Sequence, residues 1–146
     1  MIQSTIQSAR KIVIKIGSNT LAKEDGRINT DFMGDFARQC SDLMKAGKQI
    51  VLVSSGAQVA GVSTLDRWSR KKDIHYRQAL CAIGQVELMD RWRQAFADFG
   101  LHIGQLLLTK EDFADDHRTL NMRNTLFTLV DEGVIPIINE NDSVTF

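Results

Sequence analysis

Val134-Ile-Pro-Ile-Ile-Asn-Glu-Asn-Asp142 decides the reading of this chain. An apolar, β-branched run passes without a spacer into four polar residues. The run predicts a buried strand over 134–138, because strands covered on both faces read as continuous apolar stretches. The tetrad Asn139, Glu140, Asn141 and Asp142 then lies at the strand's carboxyl end, where open parallel sheets bind ligands. Pro136 removes one ladder donor, which argues for an edge position or a local irregularity.

Working outward, three further apolar runs end in comparable residues. Residues 11–16 form a short run interrupted by Lys15 and followed by Gly17-Ser18-Asn19-Thr20. Ile50-Val51-Leu52-Val53 passes directly into Ser54-Ser55-Gly56-Ala57. The stretch 102–109, through Leu106-Leu107-Leu108, ends at Thr109-Lys110. Each reads as a strand entering a polar loop.

Helical periodicity fills the intervals. From an N-cap at Asn29 or Thr30, Phe32, Phe36, Cys40 and Met44 recur every fourth residue, and Gly47 follows as a stop. A long helix is predicted over 76–99, with Leu80, Ile83, Leu88, Trp92 and Phe96 near one face. Gly84 interrupts it, in keeping with close packing. A further helix is predicted over 118–132, closed by Gly133. Between Leu65 and Tyr76 the charged run around Arg70-Lys71-Lys72 predicts an exposed loop. Helices between apolar strands require crossovers, so the class is α/β: a mostly parallel sheet with helices on both faces.

Composition narrows the function. With 146 residues, 43% hydrophobic, the chain fits one domain with a sizeable core. Its 18 basic and 18 acidic residues balance, which gives no electrostatic case for nucleic acid or an anionic membrane surface. No stretch approaches the ~20 apolar residues that span a bilayer. Cys40 and Cys81 form no CxxC pair and read as core cysteines of a reducing cytoplasm. His75, His102 and His117 lack metal-ligand spacing. Gly56 and Gly61 have the spacing of a P-loop, yet Val62-Ser63 stands where Lys-Ser or Lys-Thr is required.

What remains is a sheet edge equipped for a small anionic substrate. Ser55-Gly56-Ala57 can turn from strand into helix, where unpaired N–H groups favour phosphate or carboxylate. Lys15 supplies a positive charge, and Asn139 and Asp142 can hold an ammonium or amide group. The residues suggest an amino acid beside a phosphate. Each alone has a plainer reading: a snorkelling lysine, a capping Ser-Gly turn, an Asx turn.

Val13-Ile-Lys-Ile-Gly-Ser18, Val51-Leu-Val-Ser-Ser-Gly-Ala57, Gln78-Ala-Leu-Cys-Ala-Ile-Gly-Gln85, Gln105-Leu-Leu-Leu-Thr109 and Pro136-Ile-Ile-Asn-Glu-Asn-Asp142 together resemble the amino acid kinase family, in its glutamate 5-kinase branch. The resemblance implies a three-layer sandwich and ATP-dependent, Mg²⁺-assisted phosphorylation of the L-glutamate γ-carboxylate in proline biosynthesis. It implies Lys15 as the catalytic cation on the transferring group, with Gly17 and Ser18 beside the ATP phosphates. Ser55, Gly56, Ala57, Asn139 and Asp142 would hold glutamate. Feedback by proline near that site and homo-oligomerisation are further expectations. The family's Gly-Asp-Asn-Asp motif, nucleotide-binding half and second lysine do not occur in 1–146, so the stretch is expected to be the amino-terminal, acceptor-binding part of an incomplete sandwich. A non-catalytic glutamate- or proline-binding module, or an inert α/β fragment, are the competing readings.

Overall fold

The computed structural model describes residues 1–65 and 73–144, with side chains through 62 in the first stretch. The chain runs α1 (Ile2–Ser8), β1 (Lys11–Ile16), α2 (Ser18–Leu21), α3 (Thr30–Lys45), β2 (Gln49–Ser54), α4 (Ala57–Leu65), α5 (Ile74–Ala97), β3 (Ile103–Leu108), α6 (Lys110–Ala114), α7 (Asp116–Asp131) and β4 (Ile135–Glu140). The four strands form one parallel sheet in the order β1-β2-β4-β3. The charged loop expected between Leu65 and Tyr76 falls, at 66–72, outside the described residues; Asp73 caps α5 by accepting from the Tyr76 N–H.

Helix polarity follows from the periodicity. Met33, Ala37 and Cys40 of α3 and Leu88, Trp92 and Phe96 of α5 are buried against Ile50 and Leu52 of β2 and Ile135 and Ile137 of β4. Phe36, Trp92 and Phe96 stack or meet edge-on, with neighbouring ring centroids 5.7 Å apart. Ile83, expected near this face, is exposed. On the opposite face, α7 lies over β4 and β2, with Leu129 also against Gly104 of β3. The outward crossovers to β2 and β3 thus cover one face and the return crossover to β4 the other, as right-handed connections demand. Helix α7 reaches the start of β1, where Lys11 Nζ stands 4.2 Å from the Phe127 ring centroid, while Val13 further along that strand is 66% exposed.

Two details correct the sequence reading. Pro136 lies in an interior strand, not at an edge. The Ile135 N–H donates to the His102 carbonyl on the β3 side at 2.9 Å, so the Pro136 nitrogen faces β2. Pairing with β2 begins only at Ile137, opposite Leu52. The missing donor falls where the ladder has no bond to lose. Secondly, β4 extends through Glu140, so Asn139 and Glu140 belong to the strand and alternate across it.

Helices α4 and α5 approach closely because both crossing points are glycine. A Cβ on Gly84 would overlap the Ala57 carbonyl oxygen and the Gly61 nitrogen, and one on Gly61 the Leu80 carbonyl. The close-packing role expected of Gly84 is what the structure shows. Cys40 and Cys81 are free and buried; burial pushes their thiols up, to about 12 and about 11.

Candidate functional site

The four strand ends converge because the sheet is parallel, so every expected site residue sits at one edge. Ser54 and Ser55 end β2 beside the end of β1. The Ser55 N–H and hydroxyl both donate to the Ile16 carbonyl, at 3.1 and 3.3 Å, and the Ser18 hydroxyl donates to the Ser55 hydroxyl at 3.4 Å. The turn after β1 and the turn after β2 are therefore tied together. Behind them the Trp92 Nε1–H donates to the Ser54 hydroxyl at 3.1 Å, wholly buried. Gly56 follows with φ +108°, a conformation that L side chains resist, and Leu21 Cδ1 stands 3.2 Å from where its Cβ would be. This turn delivers Ala57 as the first residue of α4, with the helix amino terminus at the sheet edge.

Alternation along β4 divides the polar tetrad. Asn139 shares the α5 face with Ile135 and Ile137 and is buried, whereas Glu140 shares the α7 face and is exposed. The result is two cavities on either side of the strand end. On the α7 side, a cavity of ≈ 420 Å³ is lined by Lys15, Ser55, Asn139 and Glu140 over an apolar floor that includes Val53 and Ile138. On the α5 side, a cavity of ≈ 240 Å³ is lined by Ala57, Gln85, Glu140, Asn141 and Asp142. Lys15, Ser55 and Asn139 thus line one cavity and Ala57 and Asp142 the other, with the Asn139 amide turned toward Gln85 of the second. Gly17, Ser18 and Gly56 line neither, and serve the turns that set the edge.

Electrostatics follow from this layout. The Asp142 carboxyl is held above the ordinary aspartate range, first by burial and then by the neighbouring Glu140 charge. At the end of β3, Asp112 accepts from the Thr109 N–H at 2.7 Å and from Arg118 Nη1 at 3.1 Å. These contacts, the Thr109 bond foremost, lower its pKa and fix the turn that carries Lys110.

Three residues were given no role by the sequence and stand in the site. Lys110 lines the larger cavity with Lys15, and Glu140 lines both cavities. Gln85 lines the smaller one and accepts from Asn139 Nδ2 at 3.1 Å. A signal for Gln85 was present: it falls on the buried stripe of α5 formed by Cys81, Leu88 and Trp92, where a carboxamide has no packing reason to be. Among the described residues no three His, Cys, Asp or Glu side chains gather to hold a metal ion, and no helix is long and apolar enough to cross a membrane.

Comparison with known proteins agrees with this layout. The chain is 61% identical over 145 residues to "Glutamate 5-kinase" of Alkaliphilus metalliredigens, covering 99% of this chain and 55% of that protein. It is 48% identical to "Glutamate 5-kinase" of Treponema pallidum, over 99% of this chain and 54% of that one. The chain therefore spans about half the length of these curated relatives. Among solved structures, isopentenyl phosphate kinase superposes with a TM-score of 0.58 at 14% identity, over 88% of this chain and 56% of the other. That likeness concerns the fold alone. Residues 10–146 match the profile of the amino acid kinase family, and with the parallel sheet and its furnished carboxyl edge in agreement, the chain belongs to that family.

Proposed function

We propose that this chain carries the acceptor side of a glutamate 5-kinase, which moves the γ-phosphoryl group of ATP to the γ-carboxylate of L-glutamate. The observation that carries the reading is the meeting of Lys15, Ser55 and Asn139 at one cavity, with Asp142 on the other side of the same strand end. The relatives' shared name supports the choice of substrate.

The chemistry asks little of the protein beyond placement. A carboxylate is already ionised at neutral pH, so no general base is required. Its oxygen bonds to the γ-phosphorus as the bond to the bridging oxygen breaks, and ADP carries away the electron pair. Alignment and charge stabilisation supply the catalysis. Lys15 would neutralise charge on the transferring group. Ser55 and Asn139 would orient the acceptor, and Asp142 with Glu140 would attract its ammonium group.

ATP supplies the phosphoryl group, and the two lysines on one cavity wall suit a polyphosphate. Gly17 and Ser18 stand beside Lys15 in the adjoining turn, and the Ser18 hydroxyl reaches the acceptor side through Ser55. The described residues form no carboxylate cage, so a magnesium ion in this reading arrives on the nucleotide phosphates. Proline as a feedback inhibitor at or near the glutamate site, and association of copies through the open sheet edges, belong to the same proposal.

Calorimetric titration of the chain with L-glutamate, L-proline and Mg·ATP tests it. Saturable binding of L-glutamate, displaced by proline, is the expected result. Absence of L-glutamate binding would refute the reading, and binding of a different carboxylate in its place would move the chain to another branch of the family.

A further inference from the structure

We propose that Gln85 reads the α-carboxylate of the acceptor, so that the amino-acid head lies in the cavity on the α5 side and the reacting γ-carboxylate crosses β4 toward Lys15. The inference rests on the acceptor reading above and adds the orientation of the substrate.

Its basis is a chain of hydrogen bonds with one end left over. The Glu140 N–H donates to Asn139 Oδ1 at 2.9 Å. A backbone donor cannot be reversed, so this bond settles which end of the Asn139 amide is oxygen. Asn139 Nδ2 must then face Gln85, and it donates to Gln85 Oε1 at 3.1 Å. That bond in turn settles the Gln85 amide. Its Nε2 group is buried and has no partner among the described residues, although leaving such a donor unsatisfied costs about 1–3 kcal/mol. A purely structural position would favour methionine or leucine here, on a stripe otherwise occupied by Cys81, Leu88 and Trp92.

The surroundings say what the donor is kept for. Gln85 lines the ≈ 240 Å³ cavity, whose walls include Glu140 and Asp142. Pockets for drug-sized molecules begin at about 300 Å³, so this one suits something smaller. An acidic wall and an amide donor complement the ammonium and carboxylate of one amino-acid head. The terminal amide torsion of glutamine is broad, and Nε2 can meet a ligand oxygen without backbone movement. Glu140 lines this cavity and the one that holds Lys15, which makes the two compartments neighbours across the strand. One substrate spanning both accounts for the division of the site residues between them.

Titration of the whole chain and two variants, Gln85→Glu and Gln85→Met, with L-glutamate and 4-aminobutyrate tests the assignment. 4-Aminobutyrate retains the amine and the reacting carboxylate of glutamate but lacks the α-carboxylate. The unaltered chain is expected to prefer L-glutamate by at least about 10-fold. Gln85→Glu keeps an oxygen for Asn139 and turns the spare donor into an anionic acceptor. It should weaken L-glutamate by about 10- to 100-fold and leave 4-aminobutyrate within about 2-fold, which collapses the preference. Were Gln85 there only to position Asn139, Gln85→Glu would bind L-glutamate as the unaltered chain does and only Gln85→Met would be impaired; that pattern overturns the proposal. Equal affinity of the unaltered chain for the two ligands overturns it without recourse to any variant. No binding of L-glutamate at all removes the acceptor reading and this inference together, whereas glutamate binding without the preference removes only this one.

Discussion

Replacing Gly84 by alanine adds one methyl group where α5 crosses α4. The new Cβ would overlap the Ala57 carbonyl oxygen and the Gly61 nitrogen, backbone atoms that no rotamer change can displace. Gly61 sets the same limit from the other side, with the Leu80 carbonyl carbon 2.8 Å from its notional Cβ. Helix propensity alone favours alanine by about 1 kcal/mol. Overpacking a core costs about 1–3 kcal/mol when side chains can adjust. Here the helices themselves must part and contacts along both are lost, so a net loss of about 2–4 kcal/mol is expected. Gly34 is the internal control: it lies in α3 with nothing within 4 Å of its notional Cβ, and Gly34→Ala should gain about 0.5–1 kcal/mol. Urea unfolding of the two variants at matched m-values reads both signs. Gly84→Ala within about 0.5 kcal/mol of the unaltered protein, or a shift of both variants in one direction, would refute the reasoning. Because α4 begins at Ala57, directly after Gly56, the same displacement should weaken L-glutamate binding, an effect Gly34→Ala should not share.

Three further outcomes are expected. Trp92→Phe removes the buried donor to Ser54 at 3.1 Å and part of the indole volume, and should cost about 2–3 kcal/mol in the same unfolding assay; a neutral result would mean that the Ser54 anchor is dispensable. Burial raises the Asp142 pKa in the folded state, so its protonated form favours folding below the unfolded-state pKa and that contribution is lost as pH rises through the folded value. Asp142→Asn should therefore stabilise the protein at about pH 7 and much less at about pH 3, and a gain that is larger in acid would contradict the assignment. Lys15→Ala should leave the unfolding midpoint unchanged, because the side chain is exposed, and L-glutamate affinity within about 3-fold; in a longer protein that also carries the nucleotide-binding half it should lower ATP-dependent phosphorylation of L-glutamate by at least about 100-fold, and undiminished turnover there would remove Lys15 from the chemistry.

Periodicity made the major helices and all four strands legible, because amphipathic repeats and buried β-branched runs record burial directly. The short elements escaped it. Helix α2 has only four residues and α6 only five, too few for a repeat to show. Strand order was also out of reach, since it depends on which crossover returns. The return of α7 to place β4 inside β3 rules out the edge position offered for Pro136 and leaves the local irregularity, the late start of pairing with β2. Proline is excluded from an interior strand only where its nitrogen faces a ladder bond, and that depends on pairing register, here the late start of the β2–β4 ladder at Ile137.

That the proposed residues share one sheet edge was legible in the sequence; how the strand divides them was not. Lys15, Ser55, Asn139 and Asp142 could be named because apolar runs point to where they end. Sequence order suggested a single polar wall after β4, but the strand continues through Glu140 and alternation sends adjacent residues to opposite faces. A wall became a divider. Each cavity then has its own chemistry, two lysines and Glu140 over an apolar floor on one side and Asp142 with Glu140 facing an amide donor on the other. The strand keeps Lys15 and Asp142 in separate compartments, with Glu140 shared between them. Were Lys15 and Asp142 in one compartment they could pair with each other, and the burial that raises the Asp142 pKa would be offset by the lysine. The raised pKa of Asp142 comes from burial and from the Glu140 charge beside it, and an ammonium group entering the α5-side cavity would act in the opposite direction.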